Sequence, residues 1–335
     1  MSKKKSDAQL ELFAPAPAAS PLAAVPPPDP KIVALAERLP KHLHLGASSW
    51  NFRGWTGVVY RAPYKSDKQF VRDSLYEYAR WPLFRTVGID RSFYAPLTAE
   101  ELTHYAALLP SGFRCIEKVW QEISTFMFPK HPRYGERSGK VNGAFLDLDL
   151  FTREVLAPHA RAFSDHVAAF VFEVSPLPSA PNVAFLEDKL ERFLTQAPRS
   201  FHYAFELRDE RLMTPRYFAL LREHGASHCF NQWSHVPPIR EQLRLHGRSL
   251  RAPVVVRLLL PHGADYEDLV ESYAPFDRLH AVSLPMREDV REIVEIAGAE
   301  ALPTYIIINN KAEGSAPLTA IGLADLISTS AASAR

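Results

Sequence analysis

The sequence predicts an α/β fold, a (β/α)8 TIM-type barrel behind a disordered Pro/Ala-rich N-terminal tail. Eight short apolar runs rich in β-branched and aromatic residues recur along the chain. Segments of helical period with cap signals lie between them. The roughly 290 residues beyond the tail suit one such barrel. An open doubly wound sheet is also consistent with the alternation, and the number of strands favours the barrel.

Residues 1–40 read as tail, because Pro, Ala, Lys and Ser bury too little apolar surface to offset chain entropy. A short helical turn is expected at KIVALAERL. The barrel domain is expected over 41–331. Its strands fall near 43–49 (LHLGASS), 84–90 (FRTVGID), 113–119 (FRCIEKV) and 168–174 (AAFVFEV). The other four fall near 201–207 (FHYAFEL), 227–232 (SHCFNQ), 253–259 (PVVVRLL) and 304–310 (TYIIINN). Among the helices between them, Thr98 and Glu101 form a capping box ahead of LTHYAALL. Thr214-Pro215 starts a helix that stops at Gly225, and Asn182 caps VAFLEDKLERFLTQA.

Composition narrows the function. The 335 residues are 47% hydrophobic and carry a net charge of +1, so no global field steers the chain to nucleic acid or membrane. Cys115 and Cys229 sit in apolar strand-like runs and read as buried thiols of a reducing compartment. No apolar run is long enough to span a bilayer, and MSKKKS is not followed by the apolar stretch of a signal peptide. A cytoplasmic protein is expected.

Alternate strand residues point into a barrel, and chemistry collects at the C-terminal strand ends. In FHYAFELRD, Phe201, Tyr203, Phe205 and Leu207 form the helix-facing side; His202, Ala204, Glu206 and Arg208 point inward. The same rule gives Ser48 and Trp50 on the first strand, then Asp90 and Ser92. The third offers Lys118, or Glu117 in the other register. Glu173, Asn231 and Arg257 follow, with Asn309 or Asn310 on the last strand. Charge in an apolar strand is costly unless paired, so structural ion pairs are one reading of this set. Collectively, the carboxylates of Asp90, Glu173 and Glu206 and the cations Lys118, Arg208 and Arg257 suit an anionic or hydroxylated ligand. No metal site is expected: HEXXH and paired CxxC patterns are absent, and His202 and His228 lie away from the mouth. Glu173 and Glu206 also leave glycosidase-type acid/base work open.

Six motifs in order carry a resemblance: GASSW (46–50), VGIDRSFY (87–94), Glu117-Lys118, FELRDERL (205–212), VVRLLLPHG with Tyr266, and IIINNKAEG (306–314). Together they resemble the YecE-like family, domain of unknown function family 72, over about 43–330. That resemblance implies a TIM-type barrel and no established reaction. It carries over Ser48, Trp50, Asp90, Ser92, Phe93, Tyr94, Lys118, Glu206, Arg208, Arg257, Asn309, Asn310 and Gly314. The chain departs from the family pattern at Gly88 (usually Glu), Asp90 (Asn), Ser124-Thr125 (Thr-His), Glu173 (Gln) and Asn231 (Asp). The resemblance thus leaves Glu206 as acid/base or acceptor, Arg208 and Lys118 as anion donors, and the Asn pair as orienting groups.

One tail segment stands apart. Gln9, Leu10, Leu12 and Phe13 in QLELF resemble the peptide by which bacterial replication and repair proteins dock on the DNA sliding clamp. Leu12 and Phe13 would fill an apolar cleft, Leu10 would add contact and Gln9 would hydrogen-bond, with the Pro/Ala stretch as tether. Were the tail docked, FPKHPRYGERSGKVN and HVPPIREQLRLHGRSLRAP would offer basic and aromatic side chains to nucleic acid; a solvated helix face is the alternative for the second. Two functions are therefore expected: a clamp-recruited DNA-maintenance hydrolase or phosphodiesterase, or a small-molecule enzyme or binder for phosphorylated or hydroxylated metabolites.

Overall fold

The structure is a computed structural model that describes residues 25–176 and 182–333; Gln9, Leu10, Leu12 and Phe13 lie outside them. The eight expected strands form: β1 (Leu43–Ala47), β2 (Thr86–Ile89), β3 (Arg114–Lys118), β4 (Val167–Val174), β5 (Tyr203–Leu207), β6 (Ser227–Gln232), β7 (Val254–Leu258) and β8 (Thr304–Ile308). All pair in parallel in the order β1-β8-β7-β6-β5-β4-β3-β2. A bridge between Leu45 and Phe84 brings β2 back to β1, and the Arg85 amide donates to the Leu45 carbonyl at 2.8 Å. The barrel is nearly closed. At this seam the backbones are too close for side chains: a Cβ on Gly46 would lie 2.0 Å from the Thr86 carbonyl oxygen. One on Gly88 would meet Ile307 at 2.9 Å and the Ser48 Cα at 3.1 Å. The departure at Gly88 therefore accompanies a tight first seam.

The helices form where their caps place them. α1 (Pro30–Glu37) is the turn expected at KIVALAERL, started by the Asp29 side chain, and Leu35, Ala36 and Leu39 are buried in the main core. The described fold thus begins ahead of residue 41. α2 (Asp67–Tyr78) and α3 (Ala99–Leu108) follow, the latter with both halves of the Thr98–Glu101 capping box. α4 (148–162) contains a π-helical turn over Thr152–Leu156. α5 (Asn182–Gln196) and α6 (Pro215–His224) come next, and Gly225 ends α6 in the left-handed region. α7 (Ile239–His246), α8 (Tyr266–Tyr273), α9 (Leu284–Ala299) and α10 (Ala316–Ser333) complete the ring. Among the described residues no helix is long and apolar enough to cross a membrane.

Period two divides each strand between two environments. Outward residues such as Phe172 and Phe205, stacked at 4.9 Å, pack against the helical ring with Phe151 and Phe193. Such aromatic pairs add about 0.5–1.5 kcal/mol beyond their burial. Inward residues stack in three tiers. His44, Thr86, Arg114, His202, Ser227 and Tyr305 lie at the floor, by strand alternation. A small apolar cluster including Ile116, Val171, Ala204, Cys229, Val255 and Ile307 fills the middle. The next inward step is the mouth, and it carries the charge.

Candidate functional site at the barrel mouth

Ser48, Asp90, Lys118, Glu173, Glu206, Asn231, Arg257 and Asn309 each stand two residues beyond the middle tier, so strand alternation brings them to one end. Strand register sets Glu173 of β4 opposite Glu206 of β5, and Asn231 of β6 opposite Arg257 of β7. Two neighbouring carboxylates would repel; a cation between them resolves this. Arg208 Nη2 hydrogen-bonds Glu173 Oε2 at 2.7 Å and also contacts Glu206 Oε1. Lys118 Nζ reaches the same Glu173 oxygen at 2.7 Å. On the other side Arg257 donates to Glu206 Oε2 at 2.6 Å and, through Nη2, to both oxygens of Asp90 at 2.6 and 2.8 Å. The result is one continuous chain: Lys118, Glu173, Arg208, Glu206, Arg257, Asp90.

The chain is sunk. Glu206 is fully buried and Arg257 is 1% exposed, so these charges persist because each has partners. Burial pushes the Glu173 carboxyl up, but Arg208 and Lys118 outweigh it and hold the group far below the usual carboxylate range. Glu173 is therefore an acceptor at neutral pH and unsuited to general-acid work. Burial, reinforced by Glu206, raises the Cys229 thiol beneath, which stays protonated.

Aromatic faces surround the cations. Lys118 Nζ lies 4.0 Å from the Phe93 ring centroid, and the Arg208 guanidinium 3.9 Å from that of Trp233. Arg133 stands 5.7 Å from Tyr94, which is well exposed on the rim. Polar capacity is left over: Arg208 Nε and Asn231 Oδ1 are buried without a hydrogen-bond partner among the described residues. A polar ligand or water satisfies such groups.

Other expected residues are placed differently. Asn309 Nδ2 donates to Ser48 Oγ at 3.0 Å, while its Oδ1 accepts from the Lys311 amide. Ser92 Oγ sits 2.5 and 2.6 Å from the carbonyls of Ile89 and Lys118, tying the β2 end to β3. The Asn310 side-chain Oδ1 accepts from the Trp55 indole at 3.1 Å and the Ala316 amide at 2.8 Å, so it anchors the start of α10. Trp50 packs edge-on against Tyr105 of α3 at 5.3 Å, outside the ion chain. Glu117 takes the outward register, buried beside His159 at 3.5 Å. Among the described residues no group of three or more His, Cys, Asp or Glu is placed to hold a metal ion.

Of the two basic segments, the first keeps its basic side chains beside the mouth. Its Arg137 pairs with Glu122, while Arg133 faces Tyr94 and Tyr134. The second runs down α7 toward the floor, and three of its arginines are engaged. Arg240 bonds Asp289 at 2.6 Å, Arg244 bonds Glu241 at 2.5 Å and Arg248 bonds Glu292 at 2.8 Å. The helix-face alternative holds there.

Sequence reasoning missed Lys311. It lies in the turn Asn310–Ala312 after β8, only 7% exposed, with Nζ 4.3 Å from the Tyr266 ring centroid and 5.8 Å from that of Phe276. No carboxylate forms an ion pair with it among the described residues. Burial pushes its ammonium down to about 8, although Asp90 pulls the other way. The inward step from Asn309 to Lys311 is the signal that would have found it. Gln242 of α7 was also missed; fully buried, its side chain accepts from the Asn231 amide at 3.1 Å and donates to the Asn231 carbonyl at 2.6 Å, fixing β6.

Comparison with known proteins settles the family. The model of a protein family of unknown function, DUF72, matches residues 44–334. The chain belongs to the DUF72 family. Two solved DUF72 structures are similar to it. The Enterococcus faecalis V583 protein is 20% identical with a TM-score of 0.58, over 85% of this chain and 95% of its own. The Thermotoga maritima MSB8 protein is 17% identical with a TM-score of 0.54, over 85% and 98%. At these identities the likeness concerns the DUF72 fold alone. No curated protein matches the chain.

Proposed function

We propose that the mouth of the barrel binds and acts on a small phosphorylated or hydroxylated metabolite. One observation carries this reading: three carboxylates alternate with three cations in one ion chain, and Lys311 makes a fourth positive charge beside it. An anionic ligand neutralises the surplus, and phosphoryl oxygens suit Lys118 and Arg208 in place of the shared Glu173. Phe93, Tyr94, Trp233 and Tyr266 offer faces for a ring. A pit whose innermost charges, Glu206, Arg257 and Arg208, are at 0–6% exposure while Lys118, Glu173 and Asp90 stay partly open takes a single small group more readily than a polymer backbone.

The test is ligand-induced stabilisation. Ribose 5-phosphate or inorganic phosphate at millimolar concentration should raise the thermal midpoint, and Lys118→Met should weaken the apparent affinity by about tenfold, the loss of one charged hydrogen bond. No shift with either ligand ends this reading.

A second reading rests on QLELF: recruitment by the sliding clamp to DNA, where the same mouth would work as a hydrolase or phosphodiesterase. Arg133 and Lys140 on the mouth-side loop support it; the engaged arginines of α7 count against it. Deleting residues 9–13 should abolish binding to purified clamp, and unchanged binding removes this route.

A further inference from the structure

We infer that Lys311 is the nucleophile of the mouth and that the ligand it takes carries an aldehyde or ketone. This rests on the small-metabolite reading and names the substrate's reactive group. Every other cation of the tier is tied to a carboxylate: Lys118 to Glu173, Arg208 to Glu173 and Glu206, Arg257 to Glu206 and Asp90. Lys311 has aromatic rings around its ammonium instead. It stands just past the end of β8, at the barrel face where chemistry collects. Lys311 and Tyr266 both lie near enough to Asp90 to feel its charge, and Tyr266 also feels Lys118 and Arg133, so the amine and its ring neighbour stand beside the ion chain. A buried amine with no carboxylate bonded to it is the usual way a lysine becomes nucleophilic.

The step balances without an oxidant or reductant. The Nζ lone pair attacks the carbonyl carbon and the C=O π pair moves to oxygen. Both protons of the neutral amine end on that oxygen, which leaves as water as C=N forms. Lys118 and Arg208 hold the ligand's phosphoryl or carboxylate group, so a phosphorylated aldehyde or ketone matches both halves of the site.

The experiment traps the imine. The full chain is incubated with glyceraldehyde 3-phosphate and sodium cyanoborohydride, and peptides are mapped by mass spectrometry. Lys311 should be modified faster than Lys118 or the exposed Lys65 and Lys68, on the order of a hundredfold at pH 7, from its larger neutral fraction. The rate should climb with pH and level off above about 8, and inorganic phosphate should slow it. Lys311→Arg and Lys311→Met should each lose that adduct while remaining folded by thermal melting. Modification of Lys311 no faster than that of surface lysines overturns the inference. If phosphate still stabilises the protein in that case, the small-metabolite reading stands without the nucleophile; if it does not, both fall.

Discussion

The two ends of the barrel are both polar, but their polar groups have different partners. At the floor they bond to backbone. Thr86 Oγ1 donates to the Arg114 carbonyl at 2.7 Å, Arg114 to the Val167 carbonyl at 2.8 Å, and Ser227 to the Pro253 carbonyl at 2.8 Å. Histidines toward that end (His44, His202, His228 and His246) are all lowered by burial and held neutral. At the mouth, charged side chains bond chiefly to one another and leave donors and acceptors unused. A backbone partner is fixed by the fold and no ligand can displace it. A side-chain partner is exchangeable, so an ion chain with spare capacity is a place where binding can occur. The apolar middle tier keeps the two ends apart.

Removing charge separates them most sharply. Arg257→Met leaves the fully buried Glu206 with Arg208 alone and strips Asp90 of its cation, and should cost about 3–5 kcal/mol in urea unfolding. The floor counterpart, Arg114→Met, loses one part-buried side-chain bond to backbone and should cost about 1 kcal/mol. Equal losses would make both ends purely structural.

Acid sharpens the contrast next. Burial pushes His228 down to about 3, against about 6.5 in the unfolded chain. As pH falls from about 6.5 toward 3 the unfolded state binds the extra proton, so stability declines across that window, by roughly 4 kcal/mol at its acid end. His228→Gln does not titrate and should flatten this part of the profile of unfolding free energy against pH. Glu173, held ionised well below its usual range, keeps its contribution until more acid conditions. A wild-type profile that stays level from pH 6.5 to 4 would remove the floor's part in acid sensitivity.

Which residues were legible follows from the same geometry. Period two in β-branched runs set the strands, and stepping by two put Asp90, Glu173, Glu206 and Arg257 on one tier, with Lys118 and Glu117 left as alternatives of register. Asn309 and Asn310 looked interchangeable in sequence; one residue of register turns Asn310 toward Trp55 and Ala316. Lys311 escaped because it sits beyond the strand, in a turn where alternation is not normally counted. Arg240 and Arg248 read as free because Asp289 and Glu292 lie on α9, more than forty residues away. Local pattern reports which face a residue occupies; long-range partners arrive only with packing.

The smallest effect is the one that bears on the difference between the ends. Lys311 has a folded value near 8 against about 10.4 unfolded, so from 8 to about 10 the unfolded state holds more protons and stability rises with pH. Below 8 the fold carries the full cost of a buried, unpaired ammonium. Lys311→Met removes it and should stabilise the protein by about 1 kcal/mol at pH 7, with the gain fading toward pH 10. Thermal unfolding at pH 7 and pH 10 measures both. A residue whose loss strengthens the fold is kept for something other than the fold, which is the expected signature of the mouth. If Lys311→Met were destabilising at both pH values, the lysine would belong with the structural groups of the floor.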